Sequence, residues 1–204
     1  MSTLLSHHLR EGTRRVHAEA ESVSFIRDLM EGRLSIDDYA RLAAQQYFIY
    51  RALEELQAPA ELDFPQLKRV PSIEKDLAYL YGPEWPIDIV ALPATLEYVE
   101  RIAAVDDVAT YAAHAYTRYL GDLSGGRIIH RMMQRHYGMG DEGLNFYVFE
   151  QIDKAKPFKD LYRERLDSLS LDEVQIEKAV DEAVVAFRLN QQLFSQLSPR
   201  VTVS

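Results

Sequence analysis

The 204-residue sequence predicts an all-α protein, a single domain over residues 1–204 built as a bundle of about eight helices. Apolar residues recur at helical spacing along nearly the whole chain. No segment alternates between apolar and polar residues with a period of two, and no Asn-Gly or Asp-Gly pair is present to close a β-hairpin. The chain contains no internal repeat and no low-complexity tract, so nothing in it marks a domain boundary.

Start and stop signals divide the first half of the chain into helices. The apolar stripe of Leu5, Leu9, Val16 and Ala20 predicts a first helix over residues 3–20. The other helices predicted here are a short one over 25–31 that stops at Gly32, one over 35–57 opened by a capping box at Ser35-Ile-Asp-Asp38, one capped by Ser72 that ends near Gly82, and one over 93–105 that begins at Pro93. Residues 58–71 are predicted to form a loop, and Pro83 and Pro86 a turn.

The second half of the chain is dominated by one long helical pattern over residues 107–137. A loop is predicted over residues 138–143, followed by shorter helical pieces over 144–153 and 157–167. A second capping box, Ser170-Leu-Asp-Glu173, predicts the start of a last helix that ends near Leu197.

Composition excludes several classes of protein. The chain has no cysteine, which excludes disulfides, thiolate metal ligands and a catalytic thiol. The formal net charge of −9 argues against nucleic acid as a partner. Charged residues interrupt the apolar ones near the amino terminus, so no signal peptide is predicted there. No stretch is long and apolar enough for a membrane anchor. We therefore expect a cytoplasmic protein.

Three glycines lie in the middle of the long helical pattern, where each costs roughly 1 kcal/mol relative to alanine. They are Gly121, Gly125 and Gly126, and the first two share one helical face. One interpretation is close helix packing or a kink. The other is a flat ligand that lies against bare backbone, where any side chain would collide with it.

His17 and Glu21 are one turn apart on the first predicted helix. A carboxylate at this spacing can orient an imidazole that binds a metal. The same spacing also describes an ordinary surface ion pair.

A basic and aromatic face is predicted on the helix over 157–167, where Lys159, Tyr162 and Arg163 fall at positions i, i+3 and i+4. In an acidic protein such a face could hold a carboxylate ligand. It could equally be a solvated surface.

The segment Ala115-Tyr-Thr-Arg-Tyr-Leu-Gly-Asp-Leu-Ser-Gly-Gly126 closely resembles the distal-helix signature of the biliverdin-forming heme oxygenases. Glu11-Gly-Thr-Arg-Arg-Val-His17-Ala-Glu-Ala-Glu21 is similar to the proximal helix of that family, and further matches follow in order along nearly the whole chain. The resemblance implies an all-α fold in which heme lies between a proximal helix and a kinked distal helix. It also implies a monooxygenase that uses heme b as cofactor and substrate, with O₂, to form biliverdin, CO and ferrous iron.

The resemblance assigns roles to individual residues. His17 is expected to be the axial ligand of the heme iron, with Glu21 as its partner. The residues expected around Asp122 and its hydrogen-bonded waters on the distal side are Gly121, Gly125, Arg118, Tyr50, Thr117 and Asn190. The residues expected to contact the heme, several of them at its propionates, are Arg10, Tyr116, Lys159, Arg163, Ser124 and Phe187.

The chain shows no flavin or nicotinamide fingerprint. We therefore expect electrons to come from an external partner such as ferredoxin or a flavin reductase. We also expect the protein to be a monomer. Two alternatives stay open: a heme-binding or heme-transfer protein without turnover, and an unrelated all-α enzyme such as a thiamin-hydrolysing one. Asp122 and its glycines count against a mere carrier, and the missing cysteine counts against the second alternative.

Overall fold

Helices account for most of residues 4–198, the part of the chain that the computed structural model describes, and those residues contain no β-strand. The α-helices are α1 (Leu5–Glu21), α2 (Ser24–Met30), α3 (Ile36–Glu55), α4 (Val70–Tyr81), α5 (Trp85–Asp88), α6 (Pro93–Ala103), α7 (Val108–Ala115), α8 (Gly121–Tyr137), α9 (Ala155–Asp167) and α10 (Glu173–Leu197). The all-α prediction is therefore confirmed. If α7 and α8 are counted as one rod and the four-residue α5 is left aside, the described residues contain eight helices, in line with the predicted number of about eight.

The rod formed by α7 and α8 is interrupted by a π-helical turn over Tyr116–Leu120. This turn ends immediately before Gly121, the first of the clustered glycines. A π turn inserts an extra residue into the helical repeat, and such turns are frequent at kinks and at functional sites. The irregularity expected in this helix is thus present, and it lies just ahead of the glycines.

The predicted capping box of α3 is confirmed. Ser35 Oγ accepts from the Asp38 amide at 3.1 Å, and Asp38 Oδ2 accepts from the Ser35 amide at 3.0 Å. The box predicted at Ser170 and Glu173 is wrong. Asp172 caps α10 instead, in a reciprocal pair with Gln175. Leu169 and Leu171 pack against the core, which keeps the residues before Asp172 outside the helix.

Four other boundaries differ from the prediction. Helix α4 begins at Val70 and not after Ser72, because the Glu54 carboxylate at the end of α3 accepts from the amides of Arg69 and Val70.

The other three differences lie further along the chain. Residues 85–88 form α5 where a turn is predicted. The helix predicted over 144–153 is only a 3₁₀ turn at Asn145–Tyr147. Helix α9 begins at Ala155, with Pro157 inside its first turn, where the missing N–H costs little.

Helix α10 lies at the centre of the bundle and packs against α1, α6 and α7. The predicted stripe of α1 is buried, with Leu5, Leu9 and Val16 each at most 2% exposed. Because this stripe faces α10, the neighbouring face of α1 lies beside the π turn and α8. A cleft lies between this face of α1 and the rod. No helix within residues 4–198 is long and apolar enough to cross a membrane.

Candidate active site

A cleft of about 350 Å³ lies between α1 and the rod of α7 and α8. Its volume falls in the range of small-molecule sites, roughly 300–1,000 Å³. Eight residues predicted from the sequence line it together: Arg10, His17, Tyr116, Thr117, Gly121, Ser124, Arg163 and Phe187. Helices that are far apart in sequence therefore bring most of the expected ligand contacts to one place.

His17 supplies the imidazole of this cleft. Its side chain is about half exposed, and its Nδ1 lies 3.7 Å from Glu21 Oε1. That distance is longer than a hydrogen bond. The Phe187 ring packs edge-to-face on the imidazole, with centroids 5.4 Å apart. Since Nδ1 faces Glu21, Nε2 is the nitrogen available to a metal.

The clustered glycines fall into two kinds. A Cβ placed on Gly126 would approach the Tyr147 ring to 3.2 Å, so this glycine allows close packing. A Cβ placed on Gly121 or Gly125 would meet nothing within 4 Å. Close protein packing therefore does not explain these two, which form what we call the glycine floor. An open backbone surface beside the cleft is what a flat ligand requires.

Asp122 accepts a hydrogen bond from the hydroxyl of Tyr50, which is fully buried on α3. Asp122 as a whole residue is half-buried, and burial of its carboxyl group raises the pKa well above the ordinary value. The carboxyl can consequently hold a proton at a pH where an exposed aspartate would be ionised. Tyr50, which the sequence analysis expects only in the water network around Asp122, is thus in direct contact with it.

Arg118 is buried behind Tyr50, with its guanidinium 4.9 Å from the centre of the Tyr50 ring. It donates to Asn190 Oδ1 at 2.8 Å and to Gln46 Oε1. Thr117, which is expected in the same group, instead donates to the Ala113 carbonyl at 2.9 Å. The hydroxyl of Thr117 is therefore engaged by its own helix.

Two residues of this distal group, Gln46 and Tyr98, are missing from the sequence prediction. Gln46 lies one turn before Tyr50 on α3, a spacing that could have indicated it. Tyr98 lies on α6, fully buried beside Arg118 and Asn190, and no local pattern points to it. Its hydroxyl and Arg118 Nε are buried polar atoms without a protein partner. Ordered water commonly satisfies such atoms.

The basic residues at the mouth of the cleft come from α1 and α9. Lys159 Nζ lies 3.2 Å from Ser124 Oγ and so links α9 to α8, while Arg163 pairs with Asp160 at 2.9 Å. Arg10 pairs with Glu11 at 3.2 Å. Arg14, which the prediction omits, also lines the cleft.

The prediction that Tyr162 shares the basic face with Lys159 and Arg163 is wrong. Its side chain is fully buried, and its ring lies 5.5 Å from that of Phe64. The apolar interior takes the aromatic ring, because a buried tyrosine removes a large apolar surface from water. Only the two cations remain on that face.

A family model described as heme oxygenase matches residues 3–196. Heme oxygenase 1 of Synechocystis sp. is 38% identical over 206 residues, covering 97% of this chain and 86% of that relative. The heme oxygenase of Pyropia yezoensis is 41% identical and covers 97% of this chain and 87% of its own. Human heme oxygenase 1 is 40% identical, covering 97% of this chain and 73% of its own.

Solved structures agree with these relatives. The crystal structure of Synechocystis heme oxygenase-1 in complex with heme matches with a TM-score of 0.90 and 36% identity, covering 96% of this chain and 93% of its own. The heme oxygenase of Leptospira interrogans matches with a TM-score of 0.89 and 37% identity, covering 96% and 100%. Fold, cleft and relatives define the class as an all-α enzyme that acts as a heme oxygenase. The chain belongs to the heme oxygenase family.

Proposed function

We propose that this enzyme cleaves heme b oxidatively at the α-meso carbon to give biliverdin, CO and ferrous iron, consuming O₂ and electrons from an external reductase. Heme b is then both cofactor and substrate. The observation that carries the proposal is the cleft that His17 and Gly121 line together, with Gly125 one turn further along the same open face of α8. His17 could ligate the iron of a bound heme there, and the bare backbone of the glycine floor would leave room for the flat macrocycle.

The residues of the cleft fit a bound heme. A single imidazole is the usual proximal ligand where the opposite coordination position must stay open. Phe187 fixes the ring of His17 from one side, and Glu21 attracts its Nδ1 proton. The bound heme supplies an iron centre that activates O₂ and the macrocycle that is oxidised. The chain therefore has to orient the macrocycle and manage protons.

We assign the orientation of the macrocycle to the cations at the mouth of the cleft. Arg10, Lys159 and Arg163 carry the positive charge that two propionates require, in a chain whose net charge is −9. Arginine can bind a carboxylate through two parallel hydrogen bonds, which fixes direction as well as position. Holding both propionates would set the rotation of the ring within the cleft, and that rotation would decide which meso carbon is oxidised.

Proton management is assigned to Asp122. The carboxyl is held in place by Tyr50, and burial keeps its proton affinity high. The unpartnered Tyr98 hydroxyl and Arg118 Nε fit ordered waters that would carry a proton onward from Asp122. A proton delivered through water arrives without a strong acid at the reacting centre. This arrangement favours oxidation of the ring over peroxidase chemistry.

The proposal includes a monomer that works in the cytoplasm with ferredoxin or a flavin reductase as its electron donor. The external electron donor is supported by the absence of a flavin or nicotinamide fingerprint in the sequence. The cations around the cleft also suit an acidic partner.

A single-turnover experiment tests the proposal. The protein loaded with one equivalent of heme is given ascorbate or a reductase system in air. The product is separated by chromatography against the four biliverdin isomers, and CO is trapped with ferrous myoglobin. We expect the α isomer and one equivalent of CO. A Soret band that persists without bilin absorbance under both electron donors would contradict the proposal.

Asp122→Ala is the informative variant, because it removes the proton-holding carboxyl and leaves His17 and the propionate cations in place. We expect heme binding within about threefold of wild type, a biliverdin yield at least tenfold lower, and a rise in the oxidation of guaiacol by peroxide. An unchanged biliverdin yield would show that Asp122 does not manage the proton. Asp181→Asn is the matched control, since Asp181 is exposed on α10.

A further inference from the structure

Residues 145–149, between α8 and α9, pack against the structure that supports the Tyr50–Asp122 pair. The Phe146 ring lies edge-to-face on the Tyr50 ring, with centroids 5.3 Å apart. The next residue, Tyr147, contacts α8 at Gly126, one turn after Asp122. The segment thus touches both the helix that carries the tyrosine and the helix that carries the carboxyl.

Asp76, on α4, binds the first two residues of this segment through hydrogen bonds. Its carboxylate is only 1% exposed and accepts three hydrogen bonds of 2.8 Å, from the Asn145 amide, the Asn145 side chain and the Phe146 amide. No cation within residues 4–198 forms an ion pair with it. A buried carboxylate is costly unless it is hydrogen-bonded, and here its bonds go only to this segment.

Arg69 holds the other end of the segment. Its buried guanidinium donates to the Val148 carbonyl at 2.9 Å and the Phe146 carbonyl at 3.4 Å, and it lies 4.0 Å from the centre of the Phe149 ring. The backbone amide of Arg69 in turn donates to Glu54, which is one turn beyond Tyr50 on α3. The segment is therefore tied to the same helix that carries the tyrosine.

We propose that Asp76 and Arg69 are positioning residues that fix residues 145–149 and, through Phe146 and Tyr147, hold the Tyr50 hydroxyl against Asp122. Neither of these two buried residues lines the cleft. The effect of Asp76 and Arg69 on catalysis rests on the proposed function, whereas their effect on the placement of Tyr50 and Asp122 does not. Loss of either residue loosens the segment and admits water to the Asp122 carboxyl.

The test uses Asp76→Asn, which has nearly the same shape but turns an N–H₂ group toward amides that need an acceptor. Asp181→Asn is the charge-matched control. Leu197→Ala removes a fully buried side chain at the end of α10, and it reports what general destabilisation alone does. Asn145→Ala is the second variant, because it deletes one of the three hydrogen bonds and leaves Asp76 intact, should Asp76→Asn fail to fold.

The first readout needs no heme. The pH titration of the Asp122 carboxyl is followed by NMR in chains labelled with ¹³C at aspartate Cγ, and the resonance is assigned with Asp122→Asn. The groups nearest this carboxyl are the Tyr50 hydroxyl from α3 and Tyr147 from the segment. The cavity that Asp122 lines also contains Arg127, His130 and Arg131 of α8. Burial is the cause of the raised pKa of Asp122, so water entry lowers it. We expect a fall of about one pH unit or more in Asp76→Asn, and none in either control.

The second readout is the product partition of the heme-loaded protein. We expect the ratio of biliverdin formed to guaiacol oxidised to fall at least fivefold in Asp76→Asn and to stay unchanged in Asp181→Asn. The inference would be overturned if Asp76→Asn showed the same Asp122 titration and the same product ratio as Asp181→Asn. It would also be overturned if Leu197→Ala changed both readouts as much as Asp76→Asn does. If wild type makes no biliverdin, the proposed function fails, and the NMR titration still decides whether the segment positions the pair.

Discussion

Replacing Gly125 with alanine should have opposite effects on folding and on ligand binding. A Cβ at this position meets nothing within 4 Å, and the residue lies inside α8. Alanine is favoured over glycine in a helix interior by about 1 kcal/mol, so the heme-free variant should be more stable than wild type by that amount. For a chain of this size the gain corresponds to a rise in Tm of roughly 2–4 °C.

The same methyl group should occupy the surface on which we propose that the heme lies. Forcing an extra carbon into a filled site typically costs about 1–3 kcal/mol, which weakens heme binding by roughly 5- to 150-fold. Thermal unfolding of the heme-free protein and a Soret titration measure the two effects separately. Gly126→Ala is the control: its Cβ lies 3.2 Å from the Tyr147 ring, so we expect a smaller stability gain and unchanged heme affinity.

Only the combination of the two effects supports the assignment of the glycine floor. A Gly125→Ala variant that is less stable than wild type would show that the space is not open. A variant that is more stable and binds heme as tightly as wild type would show that the ligand lies elsewhere.

Three further predictions concern the rest of the site and the core. His17→Ala should change the spectrum of the ferrous-CO heme complex and abolish most turnover; an unchanged spectrum would mean that another residue is the ligand. Arg163→Glu places a negative charge beside a propionate, so biliverdin isomers other than α should appear on chromatography, and a product that remains wholly α would refute the anchoring role. Burial raises the pKa of Glu182, but hydrogen bonds from His114 and Arg101 outweigh burial and lower the pKa to about 2. Since the unfolded pKa is near 4.5, the Glu182 contribution to stability is complete above that pH and lost as pH falls toward 2. The acid limb of the free energy of unfolding should therefore be flatter in Glu182→Gln, and identical limbs would refute the pairing.

Local patterns predicted the elements whose determinants are close in sequence. The stripe of α1 and the capping box of α3 need only neighbours within a few residues, and both are present as expected. The second capping box failed because two overlapping patterns compete before α10. Core packing of Leu169 and Leu171 decided between them, and packing partners are not visible in a local window.

The sequence by itself determined that the chain is helical and that clustered glycines lie within its long helical segment. A specific motif also predicted that His17 and Asp122 belong to a heme site. Tertiary structure decided which glycines leave open space and which pack on a ring. It also decided that Tyr162 turns inward and that Tyr98 and Gln46 join the distal group. The hold of Asp76 on residues 145–149 is likewise tertiary, because its hydrogen bonds span about 70 residues. Contacts of that separation depend on how helices pack around α10, and helical periodicity specifies which face is buried but not what the face meets.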